Sequence, residues 1–498
     1  MKQKRRFIFV SLVVLSSTLF STNAHSQWAK TLGGSGAEEA YSIQQTSDSG
    51  YILAGRTGSF GAGSRDFLVV KLSSGGTIQW EKTFGGTNED TAYSIQETYD
   101  SKYGSGYIVA GETKSFGAGN YDFVLLKLNS SGAVQWQKTL GGSTWDMAYS
   151  VIQASDTNYV VAGTTASYGA GAGDFLVAKV TIGGGIQWAR TFGGTGYEVA
   201  NAVQESSDGG YILAGYTDSF GAGRNDFLIV KVNSSGAFEW AKTYGGVNND
   251  EAFSIQQTSD GGYIVAGYSW TSASDTDDFL ILKLSSSGVI QWQKTFGFVE
   301  TWREERAYSI QQTSDGGYIV TGSTLDDYGG PPWGFYLIKL TNSGSVQWER
   351  IFYKSREGAN SIVQTSDGGY AVAGIDDTEV LIAKFDSSGG IEEYCPRIRD
   401  ITLGNPFVNI STGTPSLAQS TVSLASGNPS LLVANILLTE QLICGPGSGP
   451  CAASSAEASS DYSETPSSAV SFGLYGLLAL VIGGLLVASW FRRVKKTT

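Results

Sequence analysis

The sequence has a single histidine, His25, in 498 residues. Imidazole is the usual general base and metal ligand near neutral pH, so its scarcity excludes His-dependent triads, His metal sites and His-ligated haem. Basic residues are also few, with 33 Lys and Arg against 46 Asp and Glu. Phosphate binding requires clustered basic side chains, so nucleic acid is excluded as a partner. Only 16% of the residues are charged, whereas 66 are Gly and 25 are Tyr. This composition favours many short strands and disfavours a helix-rich fold.

The N-terminus has the composition of a secretory signal. A basic stretch at residues 2–6 precedes an apolar run at 7–20 and a small, polar segment ending near Ser26. This pattern predicts a signal peptide at 1–26, with cleavage after Ala24 or after Ser26 fitting equally well. The apolar run is too short to span a bilayer, which disfavours an uncleaved anchor. His25 is therefore at the edge of the removable segment.

The C-terminus has the composition of a membrane anchor. Residues 472–491 carry no charge, and four basic residues follow in the tail 492–498. Twenty apolar residues match a hydrocarbon core, and the basic tail predicts that the rest of the chain is outside the cell. The Ser- and Ala-rich segment 451–471 reads as a flexible stalk. Processing of this end by a sorting enzyme is the alternative to a permanent single-pass anchor.

The segment 395–450 has short apolar runs bounded by Gly and Pro, and we interpret it as a small β module or a neck. All three cysteines lie beyond residue 394, which allows one disulfide, with Cys444 its favoured member, and leaves one thiol. They are Cys395, Cys444 and Cys451.

Residues 27–394 consist of one repeated unit. Its clearest marker is a Trp after Gln or Glu, and the intervals between these tryptophans are 52 or 56 residues. Each unit holds four apolar runs separated by turn signals, which predicts four strands, here named A to D. The turn between A and B is typically Ser-Asp-Gly-Gly, as in a tight hairpin. The marker tryptophans are Trp28, Trp80, Trp136, Trp188, Trp240, Trp292 and Trp348.

Counting the strands predicts how the array closes. There are seven A strands, each followed by B and C, but only six are followed by a D strand with Trp. The seventh D strand is the one around Trp28, at the start of the mature chain. The fold class is therefore all-β: a seven-bladed β-propeller closed by its N-terminal strand, followed by the stalk and one transmembrane helix. A linear solenoid would need polar capping repeats, and none is evident.

The repeats resemble the tandem β-propeller repeats of bacterial and archaeal surface proteins. The resemblance is carried by the SDGGYIVAG, DFLVVKL, SSG and QWQKTFG segments. The units are also similar to delta-60 repeats and, more distantly, to quinoprotein propellers. The resemblance implies the fold; it implies no particular activity.

A carboxylate stands two residues before the first Ala of every A strand. As a ring near the channel, these side chains are candidate ligands for calcium, which takes six to eight oxygens. We prefer a structural interpretation, in which each carboxylate fixes its own blade junction, because the residue repeats in every blade. The set is Glu38, Asp90, Asp146, Glu198, Asp250, Glu305 and Glu357.

Departures from the repeat concentrate in blades five and six. Their connecting segments carry aromatic and basic residues where other blades have small ones, a composition typical of a contact surface. By the strand count these segments lie on one face, and we expect them to be loops. The candidate ligand-binding residues are Trp270, Trp302, Arg303, Arg306, Tyr328 and Trp333.

We do not expect an enzyme. No pair of carboxylates is singled out for glycoside hydrolysis, and the blades contain no cysteine of the kind a quinoprotein dehydrogenase would use. We expect no cofactor, with calcium as the one open alternative. The leading hypothesis is a membrane-anchored extracellular propeller that binds a glycan, peptide or surface protein. The alternatives are a passive structural component of the cell envelope and, third, an extracellular glycan hydrolase or lyase.

Overall fold

Every regular element in the described part of the chain is a β-strand. A computed structural model describes residues 27–271, 276–297, 303–326, 333–354 and 357–391, followed by six short segments. These segments are 398–400, 411–413, 418–421, 425–427, 432–435 and 439–444.

The first 28 strands form seven sheets. The opening strand is β1 (Trp28–Gly33). Blade one contains β2 (Glu38–Gln45), β3 (Tyr51–Thr57), β4 (Asp66–Leu72) and β5 (Ile78–Gly85). Blade two contains β6 (Asp90–Asp100), β7 (Gly104–Thr113), β8 (Asp122–Asn129) and β9 (Val134–Gly141). Blade three contains β10 (Asp146–Gln153), β11 (Tyr159–Thr165), β12 (Asp174–Val180) and β13 (Ile186–Gly193). Blade four contains β14 (Glu198–Glu205), β15 (Tyr211–Thr217), β16 (Asp226–Val232) and β17 (Phe238–Gly245).

The remaining blades follow the same antiparallel order. Blade five contains β18 (Asp250–Gln257), β19 (Tyr263–Thr271), β20 (Thr276–Leu284) and β21 (Ile290–Phe296). Blade six contains β22 (Arg303–Gln312), β23 (Tyr318–Asp326), β24 (Trp333–Leu340) and β25 (Val346–Lys354). Blade seven contains β26 (Glu357–Gln364), β27 (Tyr370–Asp376) and β28 (Glu379–Phe385).

The N-terminal strand closes the ring. β1 pairs antiparallel with β28, with Trp28 opposite Lys384 and Leu32 opposite Val380. It therefore supplies the D strand of blade seven, and the predicted seven-bladed propeller is confirmed. Blade seven also contacts blade one directly, because the Ile43 amide donates to the Ser361 hydroxyl at 3.2 Å.

The hydrophobic core lies between neighbouring blades. The B and C strands are buried on both faces, which explains their nearly continuous apolar sequences. At the first junction, Ile52 and Phe67 of blade one pack against Ala92 and Val109 of blade two. Each D-strand Trp packs against the first Tyr of the next B strand, with ring centroids 5.9 Å apart for Trp80 and Tyr107. The repeated Trp is thus a packing anchor between blades.

The segment 398–444, here called the C-terminal belt, adds a fifth strand to six of the seven blades. Its strands pair antiparallel with the outer strands of blades six, four, three, two, one and seven, in that order. They are β29 (Ile398–Asp400), β30 (Ser411–Gly413), β31 (Ala418–Thr421), β32 (Ala425–Gly427), β33 (Leu432–Asn435) and β34 (Thr439–Cys444). The sequence predicts a small β module or a neck here, whereas the described strands of this region belong to the sheets of the propeller.

The belt has a seven-residue period. Strands β30 to β34 begin at residues 411, 418, 425, 432 and 439. These five strands pair in turn with blades four, three, two, one and seven. The belt therefore runs around the ring in the direction opposite to the blades.

The two termini lie outside the described residues. In the part that is described, no helix is long and apolar enough to cross a membrane. The signal peptide at 1–26, the stalk at 451–471, the span at 472–491 and the tail at 492–498 therefore stay predictions.

Candidate functional site at the mouth of the central channel

Seven residues, one from each A strand, line the central channel. Together with Glu39 they enclose a cavity of about 320 Å³. We call them the channel ring. Its members are Tyr41, Tyr93, Tyr149, Asn201, Phe253, Tyr308 and Asn360.

A β-bulge places each ring residue in the channel. In blade one the register between β2 and β3 shifts between Ala40 and Ser42, so Tyr41 has no partner on β3. The same shift occurs at the equivalent position of every blade. The extra residue of a bulge leaves the ladder and its side chain is re-aimed. The bulges thus turn seven repeated positions toward one cavity.

The channel ring is not sevenfold symmetric. Tyr93 lies between Tyr41 and Tyr149, with ring centroids 5.1 Å away on both sides, and forms one aromatic arc. Phe253 and Tyr308, 5.2 Å apart, form a second arc. Asn201 and Asn360 separate the arcs. Their amide nitrogens donate to the carbonyls of Ala252 at 2.8 Å and Ala40 at 2.9 Å in the next blade.

The tyrosines of the first arc are neutral hydrogen-bond donors. The Tyr41 hydroxyl donates to Glu39 at 2.7 Å, and the Tyr149 hydroxyl contacts the Met147 sulfur at 3.2 Å. The Tyr93 hydroxyl donates to Glu112 at 3.0 Å. Burial raises the pKa of all three phenols far above the usual value. Burial also raises the pKa of Glu112 to about 7.

The charged groups at the mouth are paired with one another. Arg56 lies 2.8 Å from Glu39, and its guanidinium is 5.6 Å from the centroid of the Tyr41 ring. On the other side, Arg306 lies 2.7 Å from Asp277 and 2.8 Å from Glu304. The mouth therefore carries charge of both signs, but the guanidinium charges are offset locally.

Arg306 connects the sequence-predicted patch to the channel ring. Its guanidinium is 4.7 Å from the centroid of Tyr268, and that ring stacks on Phe253 with centroids 6.0 Å apart. Trp270 is opposite Asp277 in the β19–β20 pair, and Asp277 accepts a hydrogen bond from Arg306. Trp270 is therefore the backbone partner of the residue whose carboxylate binds Arg306.

The predicted loops of blades five and six are in part strands, which corrects the sequence interpretation. Pairing continues to Thr271 and Thr276 in blade five and to Arg303 and Asp326 in blade six. In blade one the B–C pairing ends at Thr57 and Asp66, and the A–B pairing ends at Glu38 and Thr57. The reason is that strand pairing continues, between B and C in blade five and between A and B in blade six, so both blades extend further at the channel mouth. Trp333 begins β24, whereas Trp302 and Tyr328 lie outside the described residues.

The predicted acidic ring contributes to the blade junctions. Glu38 is buried and accepts hydrogen bonds from the Gly34 amide at 2.9 Å and the Thr57 hydroxyl at 2.9 Å. Asp90, Asp146, Glu198 and Asp250 accept the same kind of glycine amide bond. Glu305 is buried beside Thr324, and Glu357 begins β26. Within the described ranges, no three His, Cys, Asp or Glu residues come together in a way that could hold a metal ion. The calcium hypothesis stays a prediction.

Sequence reasoning missed the channel ring. Its signal was the residue after the first Ala of each A strand, which varies among Tyr, Phe and Asn, whereas the next residue is Ser in every blade but the fourth. A bulge cannot be read from alternation alone, so this position was not distinguished from an ordinary strand residue.

Comparison with known proteins supports a propeller-repeat family. Residues 107–134 match a family described as a domain of unknown function (DUF5122) beta-propeller. The chain is 26% identical over 232 residues to regulatory protein FlaEY of Caulobacter vibrioides. The match covers 41% of this chain and only 23% of that relative. The narrower resemblance to delta-60 and quinoprotein repeats stays a prediction.

Similar solved structures include one described as a propeller domain. The WD40 beta propeller domain of Doa1 is 12% identical, with a TM-score of 0.42, over 72% of this chain and 97% of that one. Sqt1 from Chaetomium thermophilum is 14% identical, with a TM-score of 0.38, over 70% and 97%. A protein of unknown function from Bacteroides caccae is 11% identical, with a TM-score of 0.33, over 65% and 93%.

Proposed function

We propose that this chain is an exported, membrane-anchored propeller that binds an extracellular glycan, peptide or surface protein at the mouth of its channel. The observation that carries the proposal is the asymmetry of the channel ring and of blades five and six. Positions that hold the blades together recur from unit to unit, such as the buried carboxylates and the packing Trp. The channel-facing positions differ, which is what a single axial ligand requires of a repeated scaffold.

The predicted targeting segments support a location outside the cell. The signal at 1–26 and the basic tail at 492–498 would leave the propeller on the outer side of the membrane. A protease added to intact cells tests this topology. We expect it to digest an epitope placed in the exposed turn near Tyr99 and to spare one at the C-terminus. Protection of both epitopes would contradict it.

Binding is tested with the full chain displayed on cells and with isolated envelope fragments from the producing organism. The test variant is Trp270→Ala with Trp333→Ala, at the extended strands of blades five and six. The control is Tyr99→Ala, a 72% exposed aromatic at the opposite end of an A strand. We expect at least a tenfold loss of retention for the double variant and no loss for the control. Equal retention by all three chains would reject the channel mouth as the contact face.

A further inference from the structure

We infer that the channel cavity binds the end of a neutral saccharide. The inference rests on the proposed function and names the ligand class for the same site. It is carried by three observations: the two aromatic arcs, the asparagines between them, and the local pairing of the mouth charges.

The aromatic arcs provide apolar faces on two sides of one cavity. The first contains Tyr41, Tyr93 and Tyr149, and the second contains Phe253 and Tyr308. Sugars present C–H faces that pack on aromatic rings, and ligand pockets combine such apolar walls with a few fixed polar groups. Because the tyrosine hydroxyls of the first arc are bound to Glu39, Glu112 and the Met147 sulfur, their orientation is set before a ligand enters.

The asparagines provide the polar groups between the arcs. An amide has two N–H donors and a carbonyl acceptor. Asn201 uses one N–H for the Ala252 carbonyl, and its other groups have no hydrogen bond to any described residue. Asn360 directs its nitrogen to Ala40 and Glu39, which leaves its carbonyl oxygen as an acceptor. Sugar hydroxyls donate and accept, so they fit both amides.

The charges disfavour an ionic ligand. A cation would meet Arg56 and Arg306 at the mouth, and an anion would meet Glu39, Glu304 and Asp277. Since each guanidinium already has a carboxylate partner, the charge that either side of a pair offers to a ligand is partly offset. A neutral, hydroxyl-rich ligand keeps every pair intact.

The size of the cavity indicates the end of a glycan. About 320 Å³ is at the lower limit for small-molecule pockets, which favours one or two sugar units over a long chain. The terminal units would enter along the channel axis, and further units would contact blades five and six.

Titration calorimetry with the purified full chain tests the inference. The detergent must be free of sugar headgroups, because these are candidate ligands. The probes are maltotriose, chitotriose and mannotriose, with sialyllactose and choline as charged comparators. We expect at least one neutral trisaccharide to bind and both comparators to bind at least tenfold more weakly. Affinity should change less than twofold between about 50 and about 500 mM salt, since no ion pair is formed.

Tyr149→Ala is the test variant and Tyr149→Phe its matched control. Within the described ranges the hydroxyl hydrogen-bonds only the Met147 sulfur, so Phe preserves the stacking face and fold. We expect a loss of at least tenfold for Ala and less than threefold for Phe, with circular dichroism verifying that both fold. Absence of binding by all three neutral probes, tighter binding of a charged comparator, or equal binding by Tyr149→Ala would overturn the inference.

The outcomes separate this inference from the proposed function. If the chain is retained on envelope fragments but binds no neutral probe, the saccharide inference is rejected and the proposed binding function stands. Saccharide binding without retention would support the cavity and reject the envelope as its target. If the chain is neither retained on envelope fragments nor bound by a neutral saccharide, both the proposed function and the saccharide inference are rejected.

Discussion

At the scale of single residues, four of the described blade junctions place two buried carboxylates around one glycine. A Cβ at Gly193 would lie 2.0 Å from Asp174 Oδ1 and 2.5 Å from Glu198 Oε2. Gly85, Gly141 and Gly245 have the same arrangement with their own pairs of acids. The glycine ends the D strand of one blade, and the second acid begins the A strand of the next. Because glycine has no side chain, the two carboxylates can both lie against its Cα.

Gly193→Ala should destabilise the ring strongly. The added methyl would overlap both carboxylates, and overpacking of this kind costs roughly 3 kcal/mol. The matched control is Gly75→Ala, where the nearest atom to a new Cβ is 4.0 Å away. We expect the control to change the free energy of unfolding by less than about 0.5 kcal/mol. Urea denaturation followed by Trp fluorescence measures both, and equal values would show that the carboxylates yield to the methyl group.

The buried acids should make the protein most stable on the acidic side of neutrality. Burial, with repulsion from Glu198, raises the pKa of Asp174 to about 6. Burial raises the pKa of Asp250 to about 7, as it does for Glu112. The folded chain therefore binds more protons than the unfolded chain between about pH 4 and pH 7, so stability falls as pH rises through this window. Thermal melts from about pH 5 to pH 8 should show a falling Tm.

Acids whose pKa values are lowered in the folded protein determine how its stability falls at low pH. Burial alone would raise the pKa of Asp260, but hydrogen bonds from the Thr258 hydroxyl and the Lys283 ammonium outweigh it and lower this pKa to about 2. Such groups contribute stability that is lost only below about pH 4. The pair Asp174→Asn and Asp250→Asn should flatten the decline above pH 5 without changing the acid limb. A Tm that rises from pH 5 to pH 8 in the wild type would contradict the assignment.

At the scale of strands, the A strands are joined by hydroxyl groups from blade to blade. The Ser42 hydroxyl accepts the Ile95 amide of the next blade at 3.3 Å, and Ser150 accepts the Val203 amide at 3.2 Å. Blade four has Ala202 where the other blades have Ser. The seam between blades four and five therefore lacks the acceptor that its neighbours have.

Ala202→Ser should stabilise the protein by about 1 kcal/mol, since it supplies an acceptor for the Ile255 amide. Ser150→Ala, at the preceding seam, should cost about the same amount because it leaves the Val203 amide without its partner. Chemical denaturation of the two variants beside the wild type measures both changes. Destabilisation by both substitutions would show that blade four closes its seam in another way.

The strand inventory was predictable, and the bulges and the belt were not. Alternation and the Ser-Asp-Gly-Gly turns specify local hairpins, so the seven blades and the role of Trp28 followed from counting. The bulge at Tyr41 depends on how β2 meets β3, which a one-strand pattern does not contain. The belt strands are three to six residues long and gain their hydrogen bonds from distant strands, from Arg350 opposite Asp400 to Ala29 opposite Cys444. Their signal was a Leu or Ile at every seventh residue, at Ile410, Leu417, Leu424, Leu431 and Leu438.

At the scale of the whole molecule, the belt changes what the ring exposes. The outer edge of a D strand is a row of unpaired backbone groups and a template for association with another chain. Belt strands pair with these edges on six blades, and β34 holds β1 against β28 from the outside. The strand that closes the ring is therefore central in its sheet, paired on both sides.

Removing the belt should weaken closure and promote self-association. A chain ending at residue 391 keeps all seven blades but exposes the D-strand edges and leaves β1 paired only with β28. A chain ending at residue 452 also lacks the predicted anchor but keeps the belt, and serves as the control. Sedimentation velocity should show a monomer for the longer chain and concentration-dependent oligomers for the shorter one.

The shorter chain should also have the lower Tm, because loss of β34 removes hydrogen bonds from the one strand that joins the two ends of the propeller. A monomeric short chain with unchanged Tm would mean that closure by β1 is sufficient and that the belt contributes nothing to holding the ring.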